Sequence, residues 1–284
     1  MSVPQKEFDP GILQHYLEKN REDIDPAICA IQIARAKGEI NSVDRYHNHI
    51  YTLHDLVGQR FDTLVRAGAE NNANTRIAAL KEVLCNQYGY EGAQENYDNI
   101  GNALLPQVID TRKGLPVAIS ILYISCGMAQ KWVVSGLNFP DHFVIRVDHG
   151  GERIIFDPFN TCKIMDASGL RALLKKTRGP YAELRADYYQ AVDIKDILIR
   201  LENNIKFRQI EMEDYKEALK TIEIMQIIDP EEYRLLFDAG VLHAKLGQAK
   251  KAISLLESYI DKTPHARDKD DAVKILNQLR LSTH

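Results

Sequence analysis

The sequence predicts a mostly helical α+β protein, and three patterns support that prediction. Over the first 95 or so residues, apolar side chains recur at three- and four-residue steps, as they do along one face of a helix. Between about 96 and 192, one apolar helix precedes three short strand-like runs. From about 193 the chain is helical again and repeats every 34 residues. We therefore expect a helical subdomain (1–95) that forms one unit with an α+β core (96–192), followed by helical repeats (193–284).

The N-terminal region carries signals for three helices. Asp25 before Pro26 is a typical cap and first-turn pair. Ser42 is predicted to cap a long helix, and a third helix is expected over roughly 74–88, ending near Gly89. The long helix has one apolar stripe, which consists of Tyr46, Ile50, Leu53, Val57, Phe61 and Leu64. This region is predicted to be mainly a packing layer.

The middle segment predicts one helix and an antiparallel meander. The helix is expected over Val117–Met128, and the strand-like runs cover 132–137, 142–147 and 152–156. The residues Asp148-His149-Gly150-Gly151 join the last two runs, and their glycines supply the positive φ that a tight hairpin turn needs.

The C-terminal repeat has the period and the marker residues of a tetratricopeptide repeat. Three pairs of residues lie 34 positions apart, namely Ala218 and Ala252, Leu219 and Ile253, and Pro230 and Pro264. A small residue lets neighbouring helices approach closely, and a proline ends a helix. Gly240 and Gly247 suit close-packing and turn positions, and a last helix is expected over 268–281. An ordinary pair of α-hairpins with an accidental period is the alternative.

The composition predicts the cellular compartment of the protein and excludes some classes of binding partner. The 284 residues are 27% charged and 45% hydrophobic, as in folded globular proteins, and the net charge of −4 offers no basic surface for nucleic acid. No run of 18 apolar residues is present, and the first seven residues lack the apolar core of a signal peptide. The four cysteines have no CxxC spacing, so we expect reduced thiols. These features predict a cytoplasmic protein without a cofactor, a metal, or a direct nucleic-acid or membrane partner.

Three parts of a cysteine–histidine–aspartate site can be recognised in the middle segment. The predicted helix begins after Arg112, His142 is expected to open a strand, and Asp157 closes the next one. In such sites the helix N-terminus lowers the pKa of a cysteine, and the aspartate orients the imidazole. The 15-residue step between His142 and Asp157 suits neighbouring antiparallel strands that place the two side chains opposite each other.

The middle segment resembles the transglutaminase-like core, which shares the papain-like site arrangement. Four runs carry a closer resemblance to a bacterial subfamily of the invasion-regulator B type, namely Asn102–Ile109, Arg112–Ala118, Leu122–Tyr123 and Asn138–Arg146. In that subfamily a helical N-terminal part and a transglutaminase-like core precede tetratricopeptide repeats. The order of parts matches over nearly the whole chain, and some members are associated with the regulation of virulence or invasion genes.

Carried over residue by residue, the resemblance implies an incomplete catalytic site. His142 matches the family's histidine and Asp157 its aspartate, but the position of the nucleophile falls on Pro116. Proline has no nucleophilic atom and suits the first turn of a helix. The resemblance therefore implies a pseudoenzyme without cysteine-type catalysis.

Other residues near this site have two interpretations each. Asn99, Arg112, Pro116 and Ser120 are candidates for the lining of a cleft that still recognises a ligand, although Asn99 and Arg112 could serve only local structure. Ser120, one helical turn after Pro116, is the alternative nucleophile, with His142 as its base. Cys126 is expected to be a buried structural thiol, and Cys162 lies in a predicted loop. The pair of His142 and Asp157 either serves a cleft or only ties two strands together.

Repeats of this kind usually bind partners in a concave groove. Candidate groove residues are Asn203, Asn204, Lys206, Arg208, Arg234 and Asp238. The alternative for these polar residues is a solvated helix face.

Three hypotheses for function follow. The first is a non-catalytic binding or scaffold protein, with a regulatory role, that takes protein or peptide partners through the vestigial cleft and the repeats. The second is a hydrolase or acyltransferase that works without cysteine, using His142 and Asp157. The third, direct control of transcription, has no basic surface or helix-turn-helix pattern to support it.

Overall fold

The structure is a computed structural model that describes residues 8–20 and 23–282, so the stretch inspected for a signal peptide lies outside the described residues. The chain divides into two compact units, Met1–Leu201 and Glu202–His284. The finer division predicted at residues 95 and 192 stays a prediction. Among the described helices, none is both long and apolar enough to cross a membrane.

The first unit begins with helices α1 (Gly11–Lys19), α2 (Pro26–Ala36), α3 (Asp44–Arg66) and α4 (Ala73–Leu80). The prediction that Asp25 caps α2 is confirmed, because its carboxylate accepts hydrogen bonds from the backbone N–H groups of Ala27 (2.8 Å) and Ile28 (3.0 Å). Nine of the eleven residues of α2 are buried, so this helix is part of the core.

Helix α3 starts later than predicted. Its N-cap residue is Val43, and the hydroxyl of Ser42 instead accepts from the N–H of Asp44 and donates to the carboxylate of the same residue. Ser42 therefore forms a local turn before the helix, one residue too early for an N-cap. The apolar stripe is buried from Tyr46 to Val57, whereas Phe61 and Leu64 are half-buried.

The third predicted helix is present, but its hydrogen bonding changes from the α to the π pattern along its length. Asn72 caps α4, and the chain continues without a break as a π-helix over Lys81–Gln87. The predicted apolar residues Ile77, Leu80, Val83 and Leu84 are all buried. The pattern of apolar residues located the helix, but it does not distinguish α from π hydrogen bonding.

Two further helices form the centre of this unit. They are α5 (Leu105–Thr111) and α6 (Pro116–Ala129), and Pro116 is the first residue of α6. Every residue of α6 from Pro116 to Gly127 is buried, as expected for a helix that is apolar on all sides. Two short parallel strands, β1 (Glu91–Gly92) and β2 (Lys113–Gly114), pair just before α6 begins.

The predicted antiparallel meander is confirmed as a four-stranded sheet. Its strands, in spatial as well as chain order, are β3 (Val133–Gly136), β4 (Ile145–His149), β5 (Glu152–Asp157) and β6 (Lys163–Ile164). His149 pairs with Glu152, so Gly150 and Gly151 form a two-residue hairpin loop with φ of +59° and +86°.

The prediction that His142 opens a strand is wrong, because β4 begins only at Ile145. The chain leaves the sheet after Leu137, whose N–H bonds to the carbonyl of Val144 (3.1 Å), and returns there. Pro140 has no N–H to donate, and Asp141 has φ of +56°, so this segment turns and cannot pair as a strand. His142 therefore lies in a loop of residues 138–143, which we call the His142 loop.

Helix α7 (Ala167–Arg178) covers one part of the sheet, and the first turns of α8 (Ile194–Glu211) also belong to the first unit. A buried cluster joins α7 to the strands and to the His142 loop. It consists of Leu137, Phe139, Val144, Ile155, Met165, Leu170 and Leu174. The loop is thus anchored at its ends by apolar packing.

The second unit contains the end of α8 and helices α9 (Tyr215–Ile228), α10 (Arg234–Lys245), α11 (Ala249–Lys262) and α12 (Ala266–Ser282). Ala218 and Ala252 are completely buried. Gly240 lies where a Cβ would be 2.9 Å from Cγ of Leu256, so α10 and α11 approach closely only because this residue is glycine. Gly247 has φ of +71° in the turn between the two helices.

Candidate functional site

Asp157 is a buried carboxylate whose oxygens are both occupied by hydrogen bonds. It ends β5 and caps the 3₁₀ turn Pro158–Asn160, where Oδ1 accepts from the N–H groups of Phe159 (3.0 Å) and Asn160 (3.4 Å). Oδ2 accepts from Nδ2 of Asn160 (2.6 Å) and contacts Nε2 of His142 (2.8 Å). These bonds explain how a carboxylate that is only 1% exposed is tolerated.

The hydrogen bond to Asp157 also orients the imidazole of His142. The two side chains meet, as their spacing predicts, although His142 lies outside the sheet and not in the strand predicted for it. An ionised carboxylate only accepts, so Nε2 of His142 carries a proton in this bond, and Nδ1 is the acceptor whenever the ring holds a single proton. The edge of the imidazole packs against Phe159, with the ring planes at 88°.

His142 lines an open cavity of about 420 Å³. The cavity combines apolar and polar side chains, which are Gln94, Tyr97, Asp141, His142, Phe159, Asn160, Leu173, Lys176 and Thr177. Asp141, the acidic residue among those that line the cavity, forms an ion pair with Arg178 of α7. The hydroxyl of Thr177 is bonded to backbone carbonyls of its own helix. The groups that remain for a ligand are therefore the imidazole, the ammonium of Lys176, side-chain amides and aromatic surface.

None of the four residues predicted to line a cleft belongs to this lining. Pro116 is buried at the start of α6, and Ser120 is fully buried, with a hydroxyl that has no hydrogen-bond partner in the described part of the chain. Asn99 caps a 3₁₀ turn by accepting from the N–H of Gly101 (2.8 Å). These positions make Ser120 a poor alternative nucleophile, because a substrate in the cavity would have to reach a buried hydroxyl.

Arg112 joins a separate cluster. Its guanidinium donates to Tyr90 Oη (2.5 Å) and to the carbonyl of Ile109, and it lies 3.1 Å from Nε2 of His49. Burial, followed by the charge of Arg112, lowers the pKa of His49 to about 4. The backbone of Arg112 has φ of +64°, so this residue ends α5 and turns the chain toward α6. The structure thus gives Arg112 a role in local architecture.

The cysteines lack the features of an activated thiol. Cys29, Cys126 and Cys162 are buried, as predicted for Cys126, and Cys85 is half-buried. Burial raises the pKa of Cys126 well above its ordinary value and that of Cys162 to about 12, although Cys162 bonds to Tyr123 Oη (3.1 Å). Catalytic cysteines require the opposite shift.

In the second unit, part of the predicted groove is occupied by internal contacts. Lys206, whose side chain is 4% exposed, pairs with Asp238 (2.5 Å), which links α8 to α10. Arg208 is buried and donates to the carbonyl of Asn204 (3.1 Å). The solvated-face alternative is therefore wrong for Lys206 and Arg208.

The remaining groove candidates reach solvent. Asn203 is half-buried, and Arg234 is exposed and pairs with Glu232. Asn204 is half-buried as well, and the side chain of Asp238 is 35% exposed, so Arg234 is the member of the predicted set that a partner could contact most readily.

Two residues close to His142 were not predicted from the sequence. Lys176 lines the cavity from α7, and Arg200 of α8 donates to the carbonyls of Phe139 (3.0 Å) and His142 (2.7 Å). Both come from helices that are distant in sequence and have no motif of their own. Only the tertiary fold brings them to the His142 loop.

A family model described as transglutaminase-like superfamily matches residues 44–203, which is more than half of the chain. The chain belongs to the transglutaminase-like superfamily. A second model, described as tetratricopeptide repeat, matches residues 205–280. The resemblance and the fold class inferred from the sequence are thereby confirmed. Tetratricopeptide repeats generally mediate protein–protein interaction.

Similar proteins occur in bacteria and in a mammal. A "UPF0162 protein" of Vibrio cholerae is 28% identical over 217 residues, covering 76% of this chain and 78% of the relative. A "UPF0162 protein" of Xylella fastidiosa is 24% identical over 250 residues, covering 85% and 89%. The "F-box only protein 21" of Mus musculus is 26% identical over 202 residues, which are 68% of this chain but only 32% of that longer protein.

Proposed function

We propose that the protein is a non-catalytic binding or scaffold protein of the cytoplasm, with a regulatory role. One observation carries this proposal: His142, hydrogen-bonded to the buried Asp157, lines an open cavity, while Pro116 occupies the position that the resemblance assigns to the nucleophile. No cysteine or serine is among the residues that line the cavity in the described part of the chain. The lining therefore offers recognition groups without a thiol or a serine hydroxyl, and the hydroxyl of Thr177 is bonded to carbonyls of its own helix.

The chemistry of the cavity favours a short peptide segment as its ligand. A volume of about 420 Å³ lies in the range of small-ligand sites and accommodates one or two side chains. Nδ1 of His142 would accept a hydrogen bond from the peptide, Lys176 would attract a carboxylate, and Tyr97 and Phe159 would contact apolar groups.

The second unit would supply the other binding surface, for a protein partner. In this proposal Asn203 and Arg234 contact the partner, while the pair Lys206–Asp238 holds α8 against α10. Two weak sites on one chain would give a scaffold its avidity when both are engaged.

The proposal can be tested with a peptide array probed by the full chain, followed by fluorescence anisotropy on purified hits. His142→Ala should weaken cavity-dependent peptides, and Arg234→Ala should weaken a different set that binds the repeats. Lys250→Ala, at an exposed position of α11, is the matched control and should leave both sets unchanged. Absence of any peptide sensitive to His142→Ala or Arg234→Ala would refute the proposal.

The alternative function is a hydrolase or acyltransferase that works without cysteine, and the 2.8 Å contact between His142 and Asp157 favours it. In that mechanism His142 would be the general base for a water or a substrate group, and Asp157 would hold its orientation. Purified protein should then turn over amide or ester substrates faster than its His142→Ala variant. Equal rates for the two proteins would eliminate this alternative.

A regulatory role should not involve direct contact with DNA. The net charge of −4 provides no counterion release to drive such binding. Sub-micromolar affinity for duplex DNA at physiological salt would contradict this part of the proposal.

A further inference from the structure

The sheet does not determine where His142 points. The His142 loop leaves the sheet at Leu137 and rejoins it at Val144, and the bond between these two residues closes the loop at its base. Asp141 adopts a left-handed conformation next to His142. A histidine in such a loop needs contacts from outside the sheet to keep a fixed direction, since loops lack the ladder bonds of strands.

Arg200 provides two of these contacts from α8. One nitrogen, Nη2, donates to the carbonyls of both Phe139 (3.0 Å) and His142 (2.7 Å). The segment before α8 pairs with the edge of the sheet, because Ala191 forms a bridge with Leu137. This pairing places the start of α8 next to the His142 loop.

The guanidinium of Arg200 also supports the residue that follows His142. It lies 5.2 Å from the centroid of the Phe143 ring, and Phe143 is 1% exposed. The ring fits against Gly136, where a Cβ would lie 2.4 Å from Cζ of Phe143. Burial lowers the pKa of Arg200, but a guanidinium remains charged at neutral pH, so its bonds to the carbonyls are charge-assisted.

A second arginine contacts the same loop at the protein surface. Arg178 of α7 pairs with the carboxylate of Asp141, and both side chains are about half exposed, at 48% and 47%. Exposed ion pairs contribute little, roughly 0–1 kcal/mol. The contact from Arg200 is different because it is partly buried and binds the carbonyl of His142 itself.

We propose that Arg200 is a positioning residue for His142. By fixing the carbonyls on both sides of Pro140–Asp141, it sets the direction of the His142 side chain. Nε2 then meets Asp157, and the ring lines the cavity. Arg200 acts through His142, and the claim that this orientation serves ligand binding rests on the function proposed above.

The test uses the full chain labelled with ¹⁵N-histidine and follows the imidazole nitrogens by NMR, with His142→Ala to assign the signals. At a pH at which the ring is neutral, His142 of the wild type should show one tautomer, with the proton on Nε2. Arg200→Ala should convert this to a mixture of tautomers and speed the exchange of the Nε2 proton by about tenfold, the effect of losing roughly one hydrogen bond. Arg153→Ala, at an exposed position of β5, is the control and should change nothing.

Arg200→Lys keeps the charge and most of the aliphatic stem, so it should remain folded even if Arg200→Ala does not. An ammonium cannot reproduce the planar contact, and the His142 signals should shift part of the way toward those of the mixture. Unchanged His142 signals in a folded Arg200→Lys or Arg200→Ala protein would overturn the proposal. Shifted signals without any peptide sensitive to His142→Ala would instead support Arg200 and contradict the proposed function.

Discussion

Replacement of Asp157 should destabilise the first unit strongly, because this carboxylate organises several buried donors. Asp157→Ala removes the acceptor for Nε2 of His142, Nδ2 of Asn160 and the N–H of Phe159, at 2.8, 2.6 and 3.0 Å. Each buried group left without a partner costs roughly 1–3 kcal/mol, and the cavity lets water reach some of them. We expect a total loss of about 4 kcal/mol, which corresponds to a decrease in Tm of roughly 8–16 °C for a unit of this size.

Asp157→Asn should have a smaller effect, about 2 kcal/mol, because its one carbonyl oxygen still accepts while its amide adds a donor facing other donors. Asp187→Ala provides the control, since the side chain of Asp187 is exposed and makes a 3.3 Å contact with the likewise exposed Arg185. This substitution should change stability by less than about 0.5 kcal/mol.

The assay is urea unfolding followed by tryptophan fluorescence. Trp132 is the only tryptophan of the chain, is 8% exposed and lies in the first unit, so its emission reports on that unit alone. If Asp157→Ala lowered the unfolding free energy by less than about 1 kcal/mol, the buried carboxylate would not organise this site, and the reasoning would be wrong.

Three further outcomes can be checked with the same assay. Ser125→Ala should cost about 1–3 kcal/mol, because its hydroxyl donates to Asp25 (2.8 Å) and bonds to His54 (2.7 Å); no measurable loss would contradict this. The pKa of His49 falls from 6.5 to about 4 on folding, so the unfolded chain binds more protons between these values and stability should decrease as pH falls through this window. His49→Gln should flatten that pH dependence, and an unchanged slope would count against it. Gly136→Ala should cost roughly 1–3 kcal/mol of stability, because the new Cβ would lie 2.4 Å from Cζ of Phe143. An unchanged unfolding free energy would contradict this and show that the ring of Phe143 can move aside.

The elements with regular patterns could be predicted from the sequence. The cap at Asp25, the helix from Pro116, the glycine hairpin and the repeat helices follow from local rules, in which a residue's type and spacing determine its structure. The position of His142 was predicted less well. Its apolar neighbours resemble a strand, but Pro140 and Asp141 turn the chain before β4 begins.

The surroundings of the site could not be predicted, because they depend on contacts between distant segments. Arg200 lies 58 positions after His142, and Lys176 lies on a helix with no recognisable motif. Arg112 was expected near the cleft because it precedes Pro116, but its left-handed backbone directs it to His49 and Tyr90. Proximity in sequence was misleading here, whereas the family resemblance identified His142 and Asp157.

The burial of the thiols has a practical consequence for inhibitor studies. Alkylating reagents are a standard probe for cysteine hydrolases, yet here Cys29, Cys126 and Cys162 are shielded, and Cys85 is the most accessible thiol. Burial raises the pKa of Cys85 as well, which slows its alkylation. Cys85 lies in the π-helix, outside the cavity lining. Iodoacetamide would therefore modify the protein slowly and at a position unrelated to His142. Any loss of binding or activity that it caused would reflect distortion of the π-helix and would not show that a catalytic nucleophile had been modified.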